Sequence, residues 1–112
     1  MLGGNEMKNG IKCVILRSGD FFSHSVEEKI KKVGKEHNMA FDSEKLVGGT
    51  IKDLCDRYDV IMIEQDLNSH YLDIYNQMNH SKAKLFQLAK DDLMVSKVDK
   101  MINRLISEIE NV

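Results

Sequence analysis

The side chains that could do chemistry are concentrated in one run, Arg17-Ser18-Gly19-Asp20-Phe21-Phe22-Ser23-His24-Ser25, between a short apolar stretch and a helical pattern. A loop that joins a buried strand to the start of a helix presents unpaired N–H groups and a partial positive charge, so it is suited to hold an anion. Arg17, Ser18, Gly19, Ser23 and Ser25 are its candidate anion-binding residues. Arg17 can meet a phosphate or carboxylate with its planar fork, or pair with Asp20 and stiffen the turn. The serines and Gly19 serve equally for turn formation and helix capping. His24, near the helix start, is a candidate phosphoryl acceptor because a helix amino terminus favours the neutral imidazole, although local spacing fixes no acidic partner beside it. The other histidines, His37, His70 and His80, are dispersed and form no metal-binding spacing, so no metal or other cofactor is expected.

Cys13 and Cys55 are too far apart for a CxxC pair or a zinc knuckle and read as reduced, partly buried thiols. Glu64, Asp66, Asp91 and Asp92 are expected at one edge of the fold, suited to acid–base work or Mg²⁺ binding, or to ordinary turn and cap duty. Met39, Met62, Met78 and Met101 fall on apolar stripes and read as core.

The elements that must position these groups follow from hydrophobic period. Ile11 to Leu16 is an almost continuous apolar run, as in a strand covered on both faces. Ser25 with Glu28 has the spacing of a capping box, opening a helix that buries Val26, Ile30 and Val33 and ends near Asn38. Met39 to Val47 is a weaker, partly polar strand suited to a sheet edge. Thr50 and Asp53 can cap a short helix before Tyr58. Val60 to Ile63 is the clearest buried strand. Leu67, Tyr71, Ile74 and Met78 have helical spacing, with Asp66 or Asn68 at the start. Lys84 to Leu88 is a fourth strand. After a loop from Ala89 to Val95, Ser96 and Asp99 can cap a last helix with Val98, Met101, Ile102, Leu105 and Ile109 inside.

Strand and helix thus alternate four times, which predicts an α/β fold: a four-stranded parallel open sheet with helices on both faces. Ligands of such sheets bind outside the carboxyl ends of the strands at a switch in strand order. Residues 1–10 read as a flexible segment and 11–112 as one domain. The 112 residues hold 42% hydrophobic and 30% charged residues, with net charge −2, which excludes most multi-domain enzymes and provides no global field for nucleic acid or an anionic membrane. The apolar runs fall far short of the ~20 residues of a membrane span, and Met1 to Gly10 lacks a signal-peptide stretch. A cytoplasmic location is expected. Proline is absent, so turns rest on Gly, Asn, Asp and Ser.

The succession of strand, Ser/Gly-containing turn, helix, YDVIMIEQDL segment and late DDLMVSKVDKM segment resembles the IIB components of the bacterial sugar phosphotransferase system, lactose/cellobiose (chitobiose) class, over about Ile11 to Ile109. Asp59 and its strand match, whereas Glu64-Gln65-Asp66 stands in place of a Gly-Pro-Gln turn. Asp91 or Asp92 and Ser96-Lys97-Val98-Asp99 are similar to the family's late Asp and Gly-x-x-Asp. The resemblance implies a three-layer sandwich, a IIA protein and a membrane-embedded IIC transporter or regulatory proteins as partners, and a phosphoryl-carrying cysteine directly after the first strand. That place holds Arg17, which cannot supply a thiolate. Asp20 would repel a phosphoryl group, and Phe21 and Phe22 replace small residues. These departures imply a degenerate phosphorylation site and a domain acting through partner binding or regulation.

The alternative is a stand-alone α/β interaction or sensory module unrelated to phosphoryl transfer. Receiver-type acidic residues after the first strand are missing, and a low-molecular-weight tyrosine phosphatase would need the same absent loop thiol. Oligomeric state and sugar are left open by the sequence.

Overall fold

A computed structural model describes residues 10–19, 23–46, 51–79 and 81–110. In chain order these form β1 (Ile11–Arg17), α1 (His24–Glu36), β2 (Met39–Lys45), α2 (Ile51–Arg57), β3 (Val60–Ile63), a 3₁₀ turn (Gln65–His70), α3 (Tyr71–Gln77), β4 (Lys84–Gln87), a second 3₁₀ turn (Val95–Lys97) and α4 (Val98–Glu110). The strands make one parallel sheet in the order β2-β1-β3-β4. This is the open, parallel α/β architecture expected from the alternation of apolar runs and helical stripes.

Period-2 alternation divides each central strand between two cores. Cys13, Ile15, Val60 and Met62 face α1 and α4, where Ile30, Val33, Met101, Ile102 and Leu105 meet Phe41 and Phe86. Val14, Leu16, Ile61 and Ile63 face α2 and α3, where Ile51, Leu54, Tyr58, Ile74 and Met78 close the other layer. Every residue of β3 is buried, which explains its unbroken apolar run. β2 lies at an edge, as its polarity predicts, with only Met39 and Phe41 buried. α1 can approach β2 closely because Gly34 has no Cβ: a methyl there would lie 2.6 Å from Phe41 Cε2. Asn38, which follows α1, takes φ 60°, a left-handed conformation that asparagine tolerates better than most residues.

Several local expectations change. The cap of α1 is Ser23, whose Oγ accepts from Val26 N–H at 3.2 Å, and Ser25 lies exposed inside the helix. Capping at Ser23 rather than Ser25 lengthens the helix by two residues, about half a turn. Replacing Ser23 by alanine is expected to cost about 1 kcal/mol, seen as a lower urea midpoint with unchanged m-value. The helix expected from Asp66 or Asn68 begins as a 3₁₀ turn and becomes α-helical only at Tyr71. Ser96 lies within a 3₁₀ turn rather than capping α4. The Thr50 cap and the flexible reading of residues 1–9 fall outside the described residues.

Candidate functional site

The strand order reverses between β1 and β3, and it is outside the carboxyl ends at such a reversal that ligands of open parallel sheets bind. Arg17 closes β1 and Glu64 follows β3; the backbone ties the two ends together, with Glu64 N–H donating to Leu16 C=O at 3.3 Å. The decisive contact is between side chain and loop. Glu64 Oε1 accepts from Ser18 N–H at 2.6 Å and from Ser18 Oγ–H at 2.9 Å. A carboxylate therefore already occupies the two donors that Ser18 would offer an incoming anion. Sequence reasoning placed Glu64 at this edge but missed the contact. The available signal was the acidic residue standing directly after the most buried strand.

Arg17 is 7% exposed and its Nη1 donates to Gly19 C=O at 2.9 Å, so the fork folds back on its own loop. Asp20, Phe21 and Phe22, weighed as a partner and as bulky departures, lie outside the described residues. Ser18, Ser23, His24 and Ser25 are exposed. Contrary to the expectation that nothing acidic is fixed beside it, His24 Nε2 lies 3.1 Å from Glu28 Oε2, one helical turn on, with both side chains in solvent. The structure thus brings Arg17, Ser18 and Gly19 together with Glu64, and leaves His24 exposed beside Glu28.

Neither sulfur reaches this place. Cys13 is fully buried in the middle of β1, and burial, helped by the charge of Asp59, pushes its thiol up to about 12. Cys55 is half-buried on α2. Asp59 is at the opposite edge of the sheet, where its carboxylate accepts from Lys12 N–H at 2.9 Å and its backbone continues the ladder to Lys12 and Lys84. Near that edge Tyr58 Oη–H donates to Asp42 Oδ2 at 2.6 Å, and burial with this bond pushes the phenol up to about 12.

The four edge carboxylates separate by role. Glu64 and Asp66 line a hollow of about 190 Å³ with Leu88, Ala89, Lys90 and Leu93. Asp91 is exposed. Asp92 is buried: it accepts from Ala89 N–H at 2.6 Å and forms a two-oxygen pair with Arg104 of α4, Nη2 to Oδ2 and Nη1 to Oδ1 at 3.3 Å. The Arg104 guanidinium also sits 5.1 Å over the Phe86 ring, and its bond to Asp92 raises its already high pKa. Asp92 is thus an anchor for the loop after β4. Arg104, which sequence reasoning did not single out, is its partner.

A family model described as enolase, C-terminal TIM barrel domain, matches residues 7–112. The chain belongs to that family. Its sheet is nevertheless not a closed barrel: four parallel strands leave two open edges among the described residues, whereas a TIM barrel closes eight strands over about 250 residues. The common element is alternation of parallel strand and helix. Enolase-type sites employ a Lys or His base with one or two Mg²⁺ ions. Among the described residues no three His, Cys, Asp or Glu side chains gather into a group able to hold a metal, so the residues present do not fit that ion.

Comparison of three-dimensional structures identifies the architecture directly. The lactose-specific IIB component domain of the phosphoenolpyruvate:carbohydrate phosphotransferase system from Streptococcus pneumoniae matches with a TM-score of 0.66 and 13% identity, over 88% of this chain and 96% of that one. At this identity the likeness is one of fold. The enolase-family chain described here therefore has a IIB-like α/β fold, as the sequence resemblance implied. No helix among the described residues is long and apolar enough to cross a membrane.

Proposed function

We propose that this chain is a IIB-like domain of a sugar phosphotransferase system, lactose/cellobiose class, that does not carry phosphate on sulfur and acts by binding IIA and IIC components or regulatory proteins. The carrying observation is the Glu64 carboxylate held by both donors of Ser18 at the β1/β3 switch point. A phosphoryl group brought to the same donors would meet that negative charge, at a cost of about 1 kcal/mol or more at 4 Å depending on screening. The arrangement is compatible with a shape kept for recognition. Arg17, Ser18 and Gly19 then form the loop, Ser23 caps α1, and His24 is the remaining exposed acceptor. Met94 and Val95, 48% and 44% exposed on the loop after β4, give the same edge an apolar contact surface. The domain operates in the cytoplasm, where a IIA partner would meet it.

The test is incubation with phosphoenolpyruvate, the general phosphotransferase proteins and a matching IIA, followed by intact-mass measurement and titration calorimetry against IIA. Unchanged mass with saturable IIA binding is expected. A gain of one phosphoryl group, on His24, a serine or a cysteine, overturns the lapsed-carrier reading; absence of IIA binding overturns the partner reading. In the same protein Glu64→Gln is expected to tighten inorganic phosphate about tenfold by removing the resident charge. An unchanged affinity would show that Glu64 does not close the loop to anions.

A further inference from the structure

β4 is the last strand of the sheet, and Lys84 N–H and Leu88 N–H donate inward to Asp59 and Ile63. By ladder alternation, the N–H and C=O groups of Leu85 and Gln87 point outward, as does the C=O of Ala83, whose N–H is taken by Ser81 Oγ at 3.0 Å. The other edge strand, β2, carries Asp42, Glu44 and Lys45, whereas Lys84 is the single charged residue of β4. Beside β4 lies a groove of about 690 Å³ with Met78, Leu85, Leu105 and Ile109 in its apolar lining and Tyr75, 57% exposed, at its lip.

Lys84 and Glu108 line this groove together, and neither takes part in an ion pair among the described residues. A surface that carries a cation and an anion of its own can complement itself across a two-fold axis, as an isologous interface requires. The lysines of β4 and its flanks then restrict the register of an antiparallel pair. An axis through Lys84 sets the two Lys84 side chains against each other, and one through Ala83 sets Lys84 against the copy's Lys82. Axes through Phe86 and Gln87 set Lys90 against the copy's Lys82 and Lys84, respectively. Like charges directly opposite are destabilising. An axis through Leu85 avoids every such pair. Lys84 falls opposite the copy's Phe86, Leu85 exchanges both backbone bonds with its counterpart, and Gln87 N–H meets the copy's Ala83 C=O. Strand alternation puts Lys84 on the face of Phe86 and Leu88, which pack with α4. A two-fold perpendicular to the sheet keeps that face common to both copies, so Lys84 is directed to the copy's α4 and its Glu108. Arg104, over the Phe86 ring, is already paired with Asp92. We propose that the chain forms a two-fold dimer through β4 in the register centred on Leu85, with one sheet running through both copies and Lys84 facing the copy's Glu108.

Sedimentation velocity of the full chain from about 1 to 100 μM tests this. A reversible monomer–dimer equilibrium is expected. Lys84→Glu or Glu108→Lys alone sets like charges across the axis and is expected to weaken the dimer about tenfold or more, whereas the two together restore it to within about threefold of the unmodified chain. Gln87→Pro removes an outward donor, leaves the inward bonds of Lys84 and Leu88 in place, and should weaken the dimer likewise with circular dichroism unchanged. If Gln87→Pro disturbs the fold, the charge exchange decides. A chain that stays monomeric throughout, its groove left to a small ligand or a foreign strand, overturns the proposal. So does a dimer indifferent to Lys84→Glu, or one that the paired exchange does not restore.

Discussion

Alkylation with iodoacetamide at pH 8 is expected to modify Cys13 about three orders of magnitude more slowly in the folded protein than in the unfolded chain. An ordinary thiol near 9 is roughly one-tenth thiolate at that pH, whereas one pushed up to about 12 is roughly one part in ten thousand. Full burial of the Cys13 side chain adds an access barrier to this electrostatic one. Peptide mapping after a time course, with and without urea, measures the ratio. Comparable labelling in the two states would place a reactive sulfur within reach of the sheet edge and remove the argument against thiol carriage. Linkage adds a pH dependence of definite sign. The native state holds the Cys13 proton more tightly than the unfolded chain, so stability is intact below about 9 and falls as the pH rises toward about 12. Tyr58 contributes in the same direction between about 10 and 12. Urea midpoints across this range should decline, and less so in Cys13→Ala.

Asp92→Ala is expected to lower stability by about 2–4 kcal/mol, the second large effect. The substitution strands the Ala89 N–H and removes both contacts to Arg104, at a carboxylate that is 7% exposed. Arg104 is half-exposed, so water partly compensates it, which keeps the cost below that of a fully buried pair. For a domain of about this size the loss corresponds to a fall in Tm on the order of 10–20 °C by calorimetry. Asp92→Asn, which can still accept from Ala89, should cost less. A double-mutant cycle with Arg104→Leu would show coupling of at least about 1 kcal/mol between the two sites. A purely additive result would mean that the loop after β4 is held by packing of Leu88 and Leu93 alone.

These two residues illustrate what was readable in advance. Cys13 sits mid-run in Ile11–Arg17, and strand period alone assigns it to a covered face, away from the loop. Asp92 has the look of a turn residue because its partner Arg104 is 12 residues further on, inside α4, a pairing set by how that helix folds back on the sheet. The Ser25 and Ser96 caps misplace the helix starts for a related reason. Several serines near a boundary satisfy the same local rule, and only the packing angle of the helix selects among them.

The alternation of four strands with helices, the buried nature of β1 and β3, and the lack of a sulfur directly after β1 all follow from residue type and local period. Tertiary structure decided the strand order β2-β1-β3-β4, the meeting of Ser18 with Glu64 across 46 positions, and the open β4 groove. Local period fixes which face of a strand is buried but carries no information about which strand lies beside it. That choice is made when long-range burial outweighs the entropy of closing the intervening chain.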